Sequence, residues 1–335
     1  MSSRPTRSRR SRRVKAERAL AAFWHLLALT APLFLLVLLG YALSHWGRWP
    51  AEASQALTRF VFSVAIPAFL FHLMADFSSL PAVDARLLIA YFGGCLVVFA
   101  VGRVIAATVF RLDGVSQSVF AMGGIFANNV LLGLPLAKVT LGDIAMPTVS
   151  LVLVFNSLLL WTLVTVSVEW ARHRELSVRG FARTTLSVVT NPVVAGILIG
   201  TAFGFTGLTL PSMVDATVHM IGEAAIPMSL IVLGMGLSEY GIRTGWRQSL
   251  AIAVLKLAVT PFVVYLLARA LALPPVESVV VVVMASLPVG ANVYLMAREF
   301  NVLEGPVASS LVLTTALAAV TTPLLLALLG VLPVK

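Results

Sequence analysis

Two short segments of the sequence place amide side chains and helix-breaking residues inside long apolar stretches. In the first segment, Asn128 and Asn129 are followed by Gly133 and Pro135. Proline lacks a backbone donor and clashes with the preceding helical turn, so a helix that carries this segment is expected to break. Adjacent amides within a membrane are costly unless they find hydrogen-bonding partners. The segment therefore indicates a polar site inside an interrupted helix.

The second segment repeats this combination later in the chain, where Pro288 and Gly290 precede Asn292. A break frees backbone N–H groups at the start of the next half-helix, and the helix dipole there favours an anion. The alternative is a pair of proline kinks, with asparagines that join neighbouring helices. Because the two breaks form a symmetric pair, we favour an anion-binding site.

Two charged residues within apolar stretches are further candidates. Lys256 lies mid-helix, five residues before Pro261, and Glu223 lies one turn before Pro227. A buried lysine in a membrane is a candidate anion partner or proton carrier. The alternative interpretation is that the side chain of Lys256 extends to the membrane surface. Glu223 is a candidate pathway residue, or else an ordinary charge at a helix end.

No catalytic, metal or cofactor site is predicted. The histidines are scattered without metal-ligand spacing, and the single cysteine, Cys95, excludes a disulfide framework or a cysteine metal cluster. A glycine-rich phosphate loop is absent from the sequence. An intramembrane enzyme would need a Ser/His/Asp, paired-Asp or His-Glu motif, and the sequence has none.

Composition identifies the elements that must position these residues. The chain has 335 residues, of which 59% are hydrophobic and 11% charged, and its mean hydropathy is +0.98. That apolar content would fill about ten membrane-spanning helices of roughly 20 residues each. A soluble protein is excluded, because it would have to expose or overpack this surface. The continuous apolar runs also exclude an outer-membrane β-barrel, whose strands alternate.

We therefore expect an all-α membrane protein with ten transmembrane helices, numbered here as predicted helices 1 to 10. Their ranges are 24–45, 55–76, 86–110, 116–142, 146–170, 186–206, 213–237, 247–269, 276–300 and 305–331. The predicted organisation is a basic disordered arm (1–23), a first five-helix repeat (24–170), a linker (171–185) and a second five-helix repeat (186–335).

The two halves repeat at an almost constant offset. Pro32 and Gly40 in predicted helix 1 match Pro192 and Gly200 in predicted helix 6, both at an offset of 160. Three more pairs of predicted helices contain matching residues at offsets of 159 to 163. The matches are 65–67 with 225–227, Pro147 with Pro306, and 129–130 with 292–293. Five helices per half is an odd number, so the second copy enters from the opposite face. The sequence thus predicts an inverted repeat, an architecture found in many secondary transporters.

Basic residues in the loops predict the orientation. Eleven lie on the side of the central linker and four on the other side, when the arm is left out. This count places the linker in the cytoplasm and both termini outside. The arm adds eight basic residues to the side opposite the linker. This raises the count on that side from four to twelve and removes the asymmetry between the two sides. We expect the arm to lie near anionic lipid; nucleic-acid binding is the alternative and is not expected.

The run from Asn128 to Leu136 resembles the fourth-helix motif of the auxin efflux carrier family, which includes plant PIN-FORMED carriers and bacterial malonate-type permeases. The runs 285–290 and 297–302 are similar to the family's ninth-helix segment. The resemblance covers about residues 24 to 331. It implies a fold akin to bile acid sodium symporters and sodium/proton antiporters, in which helices 4 and 9 cross at mid-membrane.

The resemblance also implies transport of a small carboxylate, with Asn128 matching the family's substrate-contacting asparagine. The chain departs from the plant carriers at Asn292 and Val293, where they carry apolar residues and a further proline. It also lacks their long central loop, since only residues 171–185 separate the halves.

The function predicted from these features is a secondary transporter of organic anions in the cytoplasmic membrane. A sodium-coupled symporter of the same fold is the nearest alternative, and a membrane sensor or scaffold that uses the basic arm is another. The expected partners are a small carboxylate, the lipid bilayer and, as a further candidate, a second copy of the chain in a homodimer. The predicted substrate-binding residues are Asn128, Asn129, Asn292 and Lys256, and the predicted crossover residues are Gly133, Pro135, Pro288 and Gly290.

Overall fold

The structure, a computed structural model, describes residues 6–47, 49–75, 84–173, 190–239 and 245–331. The part of the chain that it describes is helical, and its one extended pairing is an isolated antiparallel bridge between Ala127 and Val289. Within the described ranges, six helices are long and apolar enough to cross a membrane, namely Phe23–His45, Glu52–Ala75, Arg86–Thr108, Ser212–Ser238, Trp246–Ala270 and Glu304–Leu328.

The first half of the chain contains seven α-helices, counted over the described residues. They are α1 (Thr6–His45), α2 (Ala51–Phe60), α3 (Ile66–Ala75), α4 (Arg86–Thr108), α5 (Gly114–Ile125), α6 (Leu134–Leu141) and α7 (Met146–His173). A π-helical turn, Val61–Ala65, joins α2 to α3, and a second one, Asn129–Gly133, leads into α6. A short 3₁₀ turn, Asp143–Ala145, precedes α7.

The second half contains eight α-helices over its described ranges. They are α8 (Pro192–Phe205), α9 (Ser212–Glu223), α10 (Ala225–Glu239), α11 (Trp246–Val254), α12 (Thr260–Ala270), α13 (Pro275–Ala285), α14 (Ala291–Phe300) and α15 (Glu304–Leu328). The π-helical turn Leu255–Val259 joins α11 to α12. Each predicted range therefore holds helix. Predicted helices 4 and 9 are both interrupted, between Ile125 and Asn129 and between Ala285 and Ala291.

The basic arm differs from its predicted state. We expected residues 1–23 to be disordered, whereas α1 begins at Thr6 and continues without a break into the apolar span. The physical reason lies in its composition, because arginine, lysine, alanine, leucine and glutamate are among the strongest helix formers. Residues 1–5 and the linker from 174 to 185 lie outside the described residues.

The helices pack in two groups. The first group contains α1–α3 and α8–α10, in which α1 contacts α10 and α3 contacts α8 most extensively. The second group contains α4–α7 and α11–α15, with α5 and α12 both packed on α4. Between the groups, α1 contacts α15, and α10 contacts the π turn Asn129–Gly133. The interrupted helices belong to the second group and face the first group at one of the interruptions.

Glycines allow the closest helix crossings in the first group. A Cβ on Gly40 would lie 2.0 Å from the carbonyl oxygen of Ile231, so α1 and α10 meet backbone to backbone. A Cβ on Gly200 would lie 2.6 Å from the carbonyl oxygen of Phe71, so α8 and α3 also meet backbone to backbone. Small residues are typical of such contacts between membrane helices. Gly40 and Gly200 are the matched glycines of the sequence repeat.

The start of α5 is capped by Asp113. Its carboxylate accepts backbone N–H bonds from Val115 at 3.0 Å and Ser116 at 3.1 Å, and the Ser116 hydroxyl donates to it at 2.6 Å. The hydroxyl bond, followed by the backbone bonds, holds the pKa of the Asp113 carboxyl below its ordinary value. This cap fixes the start of the half-helix that ends at the first interruption.

Candidate functional site

The two interruptions touch each other through their backbones. The N–H of Asn128 donates to the carbonyl of Pro288 at 2.9 Å, and the N–H of Gly290 donates to the carbonyl of Phe126 at 2.8 Å. These two bonds flank the bridge between Ala127 and Val289. We call this pairing, formed by residues 126–128 and 288–290, the crossover.

The first interruption lies before the residues that were expected to cause it. Phe126 and Asn128 have non-helical backbone angles (φ −78°, ψ 103° and φ −78°, ψ 63°). Gly133 instead ends the π turn, and Pro135 is the second residue of α6, directly after that turn. A π turn is a common way to accommodate a local disturbance of the helix ladder. Pro135 therefore follows the break rather than forming it.

The second interruption contains Pro288 and Gly290, as expected. A Cβ on Gly290 would lie 2.9 Å from the carbonyl oxygen of Ala127, which is closer than real Cβ contacts. A Cβ on Gly133 would lie 2.6 Å from Cδ1 of Leu287, in the opposite interruption. The contact at Gly290 is with backbone, so this glycine is required for the close approach of the two interrupted helices, whereas a shift of the Leu287 side chain can make room at Gly133.

Substitution of Gly290 by alanine tests this approach. The added Cβ must push Ala127 away, and overpacking of this kind costs about 1–3 kcal/mol. We expect Gly290→Ala to lower the thermal unfolding temperature of the purified protein. The matched control is Gly236→Ala in α10, where a Cβ would meet nothing within 4 Å. The control should be neutral or stabilising, by up to about 1 kcal/mol. Equal unfolding temperatures for the two variants would contradict the close approach.

Four half-helix ends converge on the crossover. Helix α5 ends at Ile125 and α13 ends at Ala285, while the π turn that leads into α6 begins at Asn129 and α14 begins at Ala291. The first N–H groups of a helix lack intrahelical acceptors, and the last carbonyls lack intrahelical donors. Two partly positive ends and two partly negative ends therefore lie within one small region.

The amide of Asn128 is buried and incompletely bonded. Asn128 is 5% exposed, and its Nδ2 has no hydrogen-bond partner among the described residues. Asn292 lies half-buried in the first turn of α14, and no hydrogen bond joins the two side chains over the described part of the chain. The structure thus brings the two asparagine-bearing breaks together through their backbones. It leaves a buried donor at their junction.

Asn129 points into the second helix group. Its Nδ2 donates to the Tyr91 hydroxyl at 3.1 Å and to Oδ1 of Asn156 at 3.2 Å, while its own Oδ1 has no hydrogen-bond partner in the described ranges. Tyr91 and Asn156 are not among the site residues that the sequence predicts. Their only sequence signal is an isolated polar group in an apolar helix, which does not reveal the partner.

Lys256 is fully buried behind the crossover. It lies in the π turn Leu255–Val259, and its ammonium group donates to the carbonyl of Ala285, the last residue of α13. Nearby, the Thr260 hydroxyl donates to the carbonyl of Gly124 at 2.7 Å, close to the end of α5. Thr260 was also missed, because a single threonine in an apolar helix usually bonds only within its own helix.

Glu223 lines a cavity between the two helix groups, with a volume of about 710 Å³. The cavity walls come from α3, α9 and α10 on one side and from the end of α6 on the other. They include Phe69, His72, Lys138, Asp143, His219, Glu223 and Pro227. His72 Nε2 lies 3.1 Å from Asp215 Oδ1, and His219 Nδ1 lies 3.9 Å from Glu223 Oε1. Over the described residues, no group of His, Cys, Asp or Glu is arranged to hold a metal ion.

Comparison with known proteins places this arrangement among transporters. Residues 25–326 match the family described as membrane transport protein. A putative malonate transporter of Rhizobium meliloti is 25% identical over 91% of this chain and 97% of its own length. An uncharacterized transporter of Methanocaldococcus jannaschii is 23% identical, over 84% of this chain and 91% of its own. Auxin efflux carrier component 8 of Arabidopsis thaliana is 21% identical, over 83% and 90% of the two chains.

Proposed function

Because this chain belongs to the membrane transport protein family, which includes the auxin efflux carriers, we propose that it is a secondary carrier of a small organic carboxylate. The observation that carries this proposal is the buried, unpaired Nδ2 of Asn128 at the crossover. A buried donor without a partner costs about 1–3 kcal/mol, and a carboxylate oxygen would satisfy it. The first N–H groups of the two half-helices that start at the crossover add fixed positive potential.

Asn292 is the second proposed contact, since it lies in the first turn of α14 beside the crossover. The amide of Asn129 and the ammonium group of Lys256 each bond to groups of the protein in the second helix group. We assign these two residues to the support of the substrate site. Gly133, Pro135, Pro288 and Gly290 shape the backbone that holds it.

We propose that the ten predicted helices span the membrane as two inverted five-helix repeats. The pattern of glycine contacts supports this arrangement. Gly40 joins predicted helix 1 to predicted helix 7, and Gly200 joins predicted helix 6 to predicted helix 2. Equivalent contacts of this kind are expected if the second half of the chain repeats the first.

We further propose that the two helix groups move relative to each other, which gives alternating access to the crossover. The 710 Å³ cavity supports this, because its walls belong to both groups. Glu223 would then line the entry path, as the sequence predicts. In this motion the interrupted helices would move with the second group. The first group would close over the substrate on one side of the membrane or on the other.

A sodium-coupled symporter is a second candidate function. The favouring observation is the unpaired Oδ1 of Asn129, a buried acceptor that a cation could satisfy. Oxygen atoms of Asn156 and Tyr91 lie within hydrogen-bond distance of the same amide.

Uptake of labelled malonate into proteoliposomes tests the proposal. One relative is named as a putative malonate transporter, so malonate is the first substrate to test, followed by other mono- and dicarboxylates. We expect saturable uptake that unlabelled malonate inhibits. Replacement of sodium by choline should leave uptake unchanged for the main proposal and abolish it for the symporter. Uptake no faster than in protein-free liposomes, for every carboxylate tested, would contradict both.

The orientation in the cytoplasmic membrane is a separate prediction. An impermeant maleimide applied to intact cells should label Ser212→Cys, an exposed residue at the start of α9. It should label Ser177→Cys, in the linker, only after permeabilisation. The parent protein is the control, since its only cysteine, Cys95, is buried. Labelling of Ser177→Cys in intact cells would reverse the orientation.

A further inference from the structure

The ammonium group of Lys256 lies at one of the four half-helix ends that converge on the crossover. It donates to the carbonyl of Ala285, where α13 ends. Four residues further along the chain, Thr260 donates to the carbonyl of Gly124, close to the end of α5. One segment, 255–260, therefore satisfies carbonyl groups at both partly negative helix ends.

Lys256 has no carboxylate partner within the described part of the chain, although it is completely buried. A buried cation is costly unless negative groups surround it. Here the compensation comes from helix ends, since each helix carries about half a negative charge at its C-terminus. The ammonium group bonds directly to one such end, and Thr260 of the same segment bonds close to the other.

Close packing holds the lysine in this position. A Cβ on Gly124 would lie 3.1 Å from Cβ of Leu255, and a Cβ on Gly123 would lie 2.8 Å from Cγ2 of Ile252. The two glycines thus let α11 and its π turn lie directly against the end of α5. The π turn Leu255–Val259 contains Lys256 itself, so the helix that carries the cation is adapted locally to this contact.

In carriers with interrupted helices, the C-terminal ends of half-helices and freed carbonyls coordinate the coupling sodium ion or proton. We propose that Lys256 fills a monovalent-cation site of this kind, so that its ammonium group is a tethered replacement for a coupling cation. Coupling to the carrier cycle rests on the proposed function. The cation site itself does not, because it can be tested without any substrate.

The proposal implies that removal of the ammonium group leaves an empty cation site. Lys256→Ala should create space beside the carbonyl of Ala285, and a small cation should enter it. Lys256→Met is the matched control, because its side chain fills much of the same space without charge. The experiment measures thermal unfolding of the purified full-length variants in chloride salts of sodium, methylammonium and choline, without substrate. Choline is too large to enter.

We expect the unfolding temperature of Lys256→Ala to rise saturably with sodium or methylammonium, by about 3 °C or more relative to choline. The parent and Lys256→Met should respond equally to all three salts. A response of Lys256→Ala that matches the parent would overturn the proposal. If Lys256→Ala does not fold, Lys256→Gln replaces it, since glutamine is shorter than lysine by one atom and, unlike methionine, carries an oxygen that can bind sodium. Equal responses of Lys256→Gln to the three salts would overturn the proposal in that case.

The outcome of this experiment can be distinguished from the outcome of the transport experiment that tests the proposed function. A cation-dependent unfolding temperature of Lys256→Ala, in a protein that transports no carboxylate tested, would keep the cation site and reject the carrier. Carboxylate transport by the parent, without a cation response in any Lys256 variant, would keep the carrier and reject the cation site.

Discussion

Asn128→Asp is expected to lower the affinity for malonate by more than a hundredfold while the protein remains folded. The substitution preserves the shape of the side chain, so the crossover backbone should keep its bonds to Pro288 and Phe126. It replaces the unpaired Nδ2 donor by an oxygen and adds a negative charge where the substrate carboxylate is proposed to lie.

The magnitude follows from two separate effects. A hydrogen bond to a charged group is worth about 1.5–3 kcal/mol, and this corresponds to roughly ten- to a hundredfold in affinity. Asn128→Ala removes only this bond and should show that smaller loss. Repulsion between the aspartate and the substrate carboxylate then accounts for the additional loss in Asn128→Asp. Asn292→Ala should lower the affinity by a similar amount to Asn128→Ala.

The measurement is malonate binding to detergent-purified variants, by calorimetry or by stabilisation against heat. The matched control is Asn301→Asp, which introduces the same charge at an exposed position after the end of α14. Aspartate tolerates the left-handed backbone of Asn301, so this control should bind like the parent. If Asn128→Asp binds malonate as tightly as Asn301→Asp does, the substrate site lies elsewhere and the asparagines only join helices.

The interrupted helices could be predicted from sequence because their causes are local. Proline, glycine and amide residues at 128–135 and 286–292 disturb the helix wherever it packs. The exact place of the first break could not be predicted, since the non-helical residues are Phe126 to Asn128, whereas Pro135 lies in α6 after the π turn. Repetition at a constant offset was also visible, because it depends only on residue positions.

The partners of the buried polar groups could not be predicted. Asn129 bonds to Tyr91 and Asn156, which lie in α4 and α7, and this requires knowledge of which helix faces meet. The same holds for Thr260, whose acceptor Gly124 is distant in sequence. Lys256 was recognised as a buried charge, but its sequence neighbours do not indicate whether it faces substrate, lipid or a helix end.

The second large effect is expected for substitutions of Lys256, whose side chain points to the end of α13. It concerns the rate of transport rather than the affinity for substrate. With choline in place of sodium, Lys256→Ala should reduce the initial rate of carboxylate uptake at least tenfold, whereas Lys256→Arg should stay within a few-fold of the parent. Alanine leaves the carbonyl of Ala285 without its donor and removes a full charge from the end of α13. A buried polar group without a partner costs about 1–3 kcal/mol, and each 1.4 kcal/mol in a barrier is about tenfold in rate.

Arginine keeps the charge, and its fixed donors can reach the same carbonyl. Lys256→Met separates charge from packing, since it fills space without a donor, and its rate should be as low as that of Lys256→Ala. The measurement is uptake into proteoliposomes at equal amounts of folded protein, with the unfolding temperature of each variant measured in parallel. Near-normal uptake by both Lys256→Ala and Lys256→Met would show that the charge is not needed, and that Lys256 only fills the space behind the crossover.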